Sequence, residues 1–215
     1  MDKRELITAL KDFLKIEGFR MNASGAGAVS LVKEDDYSKC EIVFSYLKYP
    51  GVYNIGPYIT AWKSFKQVEN ILKPYFVQYK IGLQDITIYY NSRRNEEMSK
   101  VDIAKPEDIE KVLPELRTMD YEDILPFFEK YKTLKDVNQK LESLEMAEIS
   151  KFIFHQPIPR MMIIKRLCNT SDWDHFSNWA IDVYKKMSDD SNENRIYFNM
   201  YKALYEELKN TAPVD

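Results

Sequence analysis

The sequence predicts an α+β fold: an N-terminal helix, a roughly four-stranded antiparallel sheet with a helix packed on it, and an all-helical C-terminal half. Three observations predict it. Short β-branched and aromatic runs, separated by turn residues, cluster before residue 92. Apolar residues recur at helical spacing from Pro106 onward. A chain of 215 residues, 45% hydrophobic and 30% charged, can bury a core without metals or disulfides.

Each element has its own signal. Leu6, Leu10, Phe13 and Leu14 share one face of a helix over 3–16, which Gly18 ends. Residues 28–33 form a short strand, and Glu34-Asp35-Asp36 a turn. Residues 40–49 and 53–62 are strong strands joined by a Pro50-Gly51 turn, so three neighbouring strands make a meander. Phe65, Val68, Ile71, Leu72 and Phe76 return to helical spacing, and Pro74 should bend or end that helix early. Residues 85–91 are the fourth strand. Pro106-Glu-Asp opens a helical turn, and Pro114 should break the stretch. Asp120 can cap a helix running to Lys130, and Thr133 another. His155 to Pro159 reads as a rigid connector before a buried helix over 161–167. Ser171 caps the next helix, and Ile196, Met200, Leu204 and Leu208 line the last.

These signals divide the chain into a sheet region over 1–95, a polar linker or excursion over 96–105, and a helical region over 106–215. Charge follows the division. Residues 1–95 hold 14 Lys/Arg and 10 Asp/Glu, and residues 96–215 hold 17 and 24. The net charge of −3 argues against a generic nucleic-acid binder. No apolar run approaches the ~20 residues that cross a bilayer, so no membrane association is expected. The two distant cysteines, Cys40 and Cys168, and an N-terminal stretch that does not read as a signal peptide lead to the expectation of a cytoplasmic protein.

Catalytic and cofactor motifs give little. Gly25-Ala-Gly27 precedes a strand rather than a helix and lacks a following Lys-Ser/Thr, so it reads as a connection, not a phosphate loop. Asp172, Asp174 and His175 fit the first turn of a helix better than a metal site, because no further ligand can be named. Cys168 sits in an apolar helical run, where a thiol is inert. No cofactor, metal or catalytic residue is assigned.

The outer face of the sheet is the more informative feature. Alternation assigns Cys40, Ile42, Phe44 and Tyr46, then Tyr53, Ile55, Ile59 and Ala61, then Ile86, Ile88 and Tyr90 to the core. The opposite side then carries Ser45, Tyr49, Tyr58, Thr60, Trp62, Thr87 and Tyr89. Arg93 and Arg94 follow the fourth strand and could add positive charge. Tyr49, Tyr58, Trp62, Tyr89, Arg93 and Arg94 are therefore the candidate partner-binding residues. Two arrangements follow from the pattern: an open face that stacks on a partner, or a face covered by the C-terminal helices in a layered sandwich. The size of the patch favours the cover. The Tyr197, Tyr201 and Tyr205 stripe is expected to pack on the preceding helix.

The run Phe13-Leu-Lys-Ile-Glu-Gly-Phe19 and the run Ile124-Leu-Pro-Phe-Phe-Glu-Lys-Tyr-Lys-Thr-Leu134 resemble segments of uncharacterised bacterial α+β domain families. Some members of those families are immunity proteins of bacterial toxin systems. The resemblance covers about a quarter of the chain and transfers no catalytic residue. It implies an intracellular bacterial binding protein. The functional expectation is a non-enzymatic protein-interaction or immunity/inhibitor-type binder. The alternatives are a nucleic-acid-associated protein using the aromatic face, or an enzyme with a site assembled from dispersed residues. Another protein is the expected partner, with monomer or dimer left open.

Overall fold

The computed structural model describes residues 1–13, 15–22, 27–82 and 84–214. The chain opens with helix α1 (Lys3–Phe13). Asp2 caps it: its carboxylate accepts the Arg4 and Glu5 N–H groups at 2.7 and 2.9 Å. Leu14, placed on this helix by its spacing, and Gly25 of the Gly-x-Gly loop lie outside the described residues.

Five strands follow in one antiparallel sheet, in the order of the chain. They are β1 (Arg20–Asn22), β2 (Ala28–Glu34), β3 (Ser38–Tyr49), β4 (Val52–Phe65) and β5 (Ile88–Arg93). The fifth strand is β1, which is too short for its alternation to be legible in sequence. It pairs with β2 through Met21 and Leu31. The β2–β3 register sets Val29 against Phe44 and Leu31 against Ile42, four buried apolar residues on the core face. Gly51, at φ +80°, supplies the left-handed residue of the β3–β4 turn. Helix α2 (Lys66–Gln78) continues through Pro74 rather than ending there. Leu72 and Phe76, buried on either side of the proline, hold the helix to its packing face.

The rest of the chain is helical. A 3-10 turn (Pro106–Lys111) leads to α3 (Leu113–Thr118), a π-helical turn (Met119–Ile124) and α4 (Leu125–Lys130). Pro114 does not break this stretch; it stands in the first turn of α3, where its missing N–H has no intrahelical partner to lose. Asp120 does not cap a helix; it is buried within the π-turn. Then come α5 (Leu134–Glu142), α6 (Met146–Ile149), α7 (Pro157–Leu167), α8 (Trp173–Met187) and α9 (Asn192–Lys209). Thr133 caps α5 as expected, accepting the Asp136 N–H at 3.2 Å. Pro157 begins α7 instead of stiffening a connector. No described helix is long and apolar enough to cross a membrane.

The chain forms two compact units, and they are not the two sequence halves. The first comprises residues 1–63 and 89–130. In it the helical segments of 106–130 lie on the core face of the sheet. Tyr90 stacks on Phe127 at 5.5 Å, and Phe19 on Phe128 at 6.1 Å. The polar stretch before Pro106 packs back on β4: Tyr53 and Ile103 exchange both backbone hydrogen bonds, at 2.9 and 2.7 Å.

The second unit comprises residues 64–88 and 131–215. Helix α7 is its centre, packed against α2, α5, α8 and α9. Met161 to Ile164 are all buried, so the middle of the helix is enclosed on every side. Arg160 is buried with them and donates to both Glu69 oxygens at 2.9 and 2.8 Å. Tyr197 and Tyr201 pack edge-on against Tyr184 of α8, and Tyr205 lies tilted over Trp173 at 5.5 Å, so the tyrosine stripe is used in helix packing.

Candidate binding face

Alternation along β3 and β4 turns one set of side chains away from the core. On β3 this set includes Ser45, Leu47 and Tyr49, all exposed. On β4 it includes Tyr58, Thr60 and Trp62. Leu47 is 52% exposed, and Tyr49 and Tyr58 are each 49% exposed, so three large apolar side chains share one strand face with water. Gly56 lies against Ser45: a Cβ there would stand 3.4 Å from the Ser45 carbonyl oxygen. The two strands therefore approach closely at this point, and a side chain at position 56 would crowd Ser45.

The proximal part of the face is polar and ordered by its own contacts. Trp62 is half-buried, and its Nε1–H donates to Glu41 at 3.2 Å. Lys39 also reaches Glu41, at 2.7 Å. Burial alone would raise the Glu41 carboxyl, but hydrogen bonds from Lys39, Ser30 and Trp62 outweigh it and hold it below its ordinary value. Thr60 donates to Asn91 of β5 at 2.8 Å, linking the two strands across the face. Tyr89 is half-buried beside them.

Arg93 and Arg94 part company. Arg93 points outward and pairs with Glu96 at 3.2 Å. Arg94 is 3% exposed and does not belong to this face. The alternation of β5 runs on past Asn91 and turns Arg94 inward with Tyr90 and Ser92. Its guanidinium donates to the Ile55 and Met98 carbonyls and pairs with Glu115 at 3.3 Å. Thr87 is likewise buried, and its hydroxyl donates to Glu69 at 2.7 Å. The sequence reading missed Leu47, although it stands two residues before Tyr49 on the same side. In the first unit the covering helices occupy the opposite face, so the sandwich expected over the aromatic side does not form from residues 106–130.

Other constellations do not converge. Among the described residues no group of three or more His, Cys, Asp and Glu side chains could hold a metal ion. Asp172 pairs with Lys165 at 2.6 Å, and Asp174 accepts the Tyr205 hydroxyl at 2.5 Å, which commits both to helix packing. Burial pushes the Cys40 and Cys168 thiols up to about 11, the reverse of what a nucleophile needs. A shallow cleft of about 470 Å³ is lined by Phe19, Arg20, Val32 and residues 34–36, but Asp35 is turned to its own loop, accepting the Tyr37 and Ser38 N–H groups. Comparison with protein-family models, with curated proteins and with solved structures gave no significant match.

Proposed function

We propose that this chain is a non-enzymatic binding protein of inhibitor or immunity type that acts in the bacterial cytoplasm and docks another protein on the outer face of its sheet. The observation that carries this reading is the exposure of Leu47, Tyr49 and Tyr58 on one face of the β3–β4 hairpin, which also holds the hydrogen-bonded polar cluster of Glu41, Thr60, Trp62 and Asn91. Aromatic side chains with a polar tip, surrounded by satisfied hydrogen bonds, have the composition of a protein-binding surface. The acidic excess of residues 96–215 favours a basic partner through steering at long range. A nucleic acid is disfavoured, because Arg94 is buried and Arg93 is already paired, which leaves little cationic surface on the face.

The test is co-purification from the source cell with three variants. Tyr49→Glu and Tyr58→Glu alter the face; Lys202→Glu alters an exposed residue of α9. A discrete polypeptide retained by the wild-type protein and by Lys202→Glu, and lost from both tyrosine variants, is the expected outcome. A polypeptide retained equally by all, or an oligonucleotide in its place, contradicts the reading.

A further inference from the structure

The buried groups of the first unit include one carboxylic acid with nothing to bind. Asp120 is 1% exposed, and its Oδ1 has no hydrogen-bond partner. It stands in the π-helical turn, a rare backbone form found mostly as single turns within helices. An ionised carboxylate in such a place would lose its hydration without compensation, so the neutral acid is the form the packing accepts.

The charged groups on the adjoining segments are engaged elsewhere or exposed to solvent. On the turn itself, Asp123 accepts the Ser92 hydroxyl at 2.5 Å and Glu122 is exposed. On α3, Glu115 is taken by Arg94 and the Asn95 N–H, and Arg117 is exposed. On α4, Glu129 and Lys130 are exposed. On β5, Arg93 and Arg94 have Glu96 and Glu115. No cation among the described residues pairs with Asp120, and burial alone pushes its carboxyl up to about 7.

The same turn is fastened to the sheet. Ser92 is a buried residue of β5, and its bond to Asp123 ties the strand to the π-turn. Tyr90, two residues earlier, stacks on Phe127 of α4. A change in the packing of the turn therefore reaches β5, whose outward residues Tyr89, Asn91 and Arg93 border the binding face.

We propose that Asp120 is a proton-dependent latch: its neutral carboxyl keeps the π-turn packed and β5 firm, and loss of the proton loosens the turn and, through Asp123 and Ser92, the strand. The functional consequence, weaker binding as pH rises, rests on the proposed binding face; the latch does not. Two measurements on the partner-free protein test it. In a carboxyl-carbon NMR titration of the wild-type chain, Asp120 should titrate near neutrality; a midpoint in the ordinary carboxylate range overturns the proposal. Amide hydrogen exchange of segments 88–93 and 113–130, corrected for intrinsic rates, should quicken roughly tenfold between about pH 5.5 and about pH 8.5. In Asp120→Asn, which keeps the neutral shape, that pH response should vanish. Equal protection at both pH values in the wild type, or an unchanged response in the variant, overturns the latch. The NMR titration decides even where Asp120→Asn fails to fold, and neither readout depends on any partner.

Discussion

Arg160 has no exposed surface, and its guanidinium donates to Glu69 and to the carbonyls of Gln84, Phe154 and His155. Glu69 in turn accepts from Thr87 at 2.7 Å. Removing one partner of such a pair leaves a buried, uncompensated charge. Arg160→Leu should therefore lower the stability of the second unit by about 3–5 kcal/mol in urea unfolding. Adding Glu69→Leu should recover much of that loss; a loss under about 1 kcal/mol for the single variant would show that the network is not strained by charge. Asp120 gives the opposite kind of prediction. Its folded-state pKa lies above its unfolded value of 3.8, so the folded chain holds the proton over the interval between them. Stability from this residue is full below pH 3.8, falls as pH rises, and is gone above about 7. Asp120→Asn should flatten that part of the stability-against-pH curve. The two thiols, both raised to about 11, should react slowly with alkylating agents at neutral pH in the folded state and rapidly after unfolding.

At the scale of elements, one-sided burial is what makes sequence legible. β3 alternates over 38–47, and β4 alternates over 52–55 and 58–63, because one face meets a core there, and the core residues named by alternation are buried; Gly56, Pro57 and the end of β4 depart from the period. β1 has three residues and offers no period to read. The stretch from Leu113 to Lys130 defeats local rules for a different reason. Pro114 is tolerated because it stands in the first turn of α3, but Asp120 is a capping residue by propensity, and Leu116, Met119, Ile124, Phe127 and Phe128 are buried on both sides of it. Packing outweighs propensity there. Within the candidate site, Tyr49 and Tyr58 were legible from parity and their exposure was not, since exposure depends on which face the helices choose. Arg94 was legible in principle: the period of two, carried past Asn91, sets it with Tyr90. Capping offers an element-scale test. Thr133 and Asp136 satisfy each other's N–H groups at the start of α5, so Thr133→Ala should cost about 1 kcal/mol in thermal or urea unfolding.

For the whole molecule, the feature on which the proposed function rests is the difference between the two faces of one sheet. The core face carries the apolar residues and receives the helical segments of 106–130. The outer face keeps Leu47, Tyr49 and Tyr58 in solvent and carries hydrogen-bonded polar groups at Glu41, Thr60, Trp62 and Asn91. A chain that only needed to fold would gain from polar side chains at those three positions. The account therefore predicts that replacing them leaves stability within about 0.5 kcal/mol while abolishing association. The most direct test is native mass spectrometry of the protein purified gently from its own cell, wild type beside a Tyr49→Glu/Tyr58→Glu variant. The account predicts a stoichiometric polypeptide bound to the wild type and a bare chain for the variant. A retained metabolite or oligonucleotide, a bare wild-type chain, or a polypeptide held equally by both would contradict it.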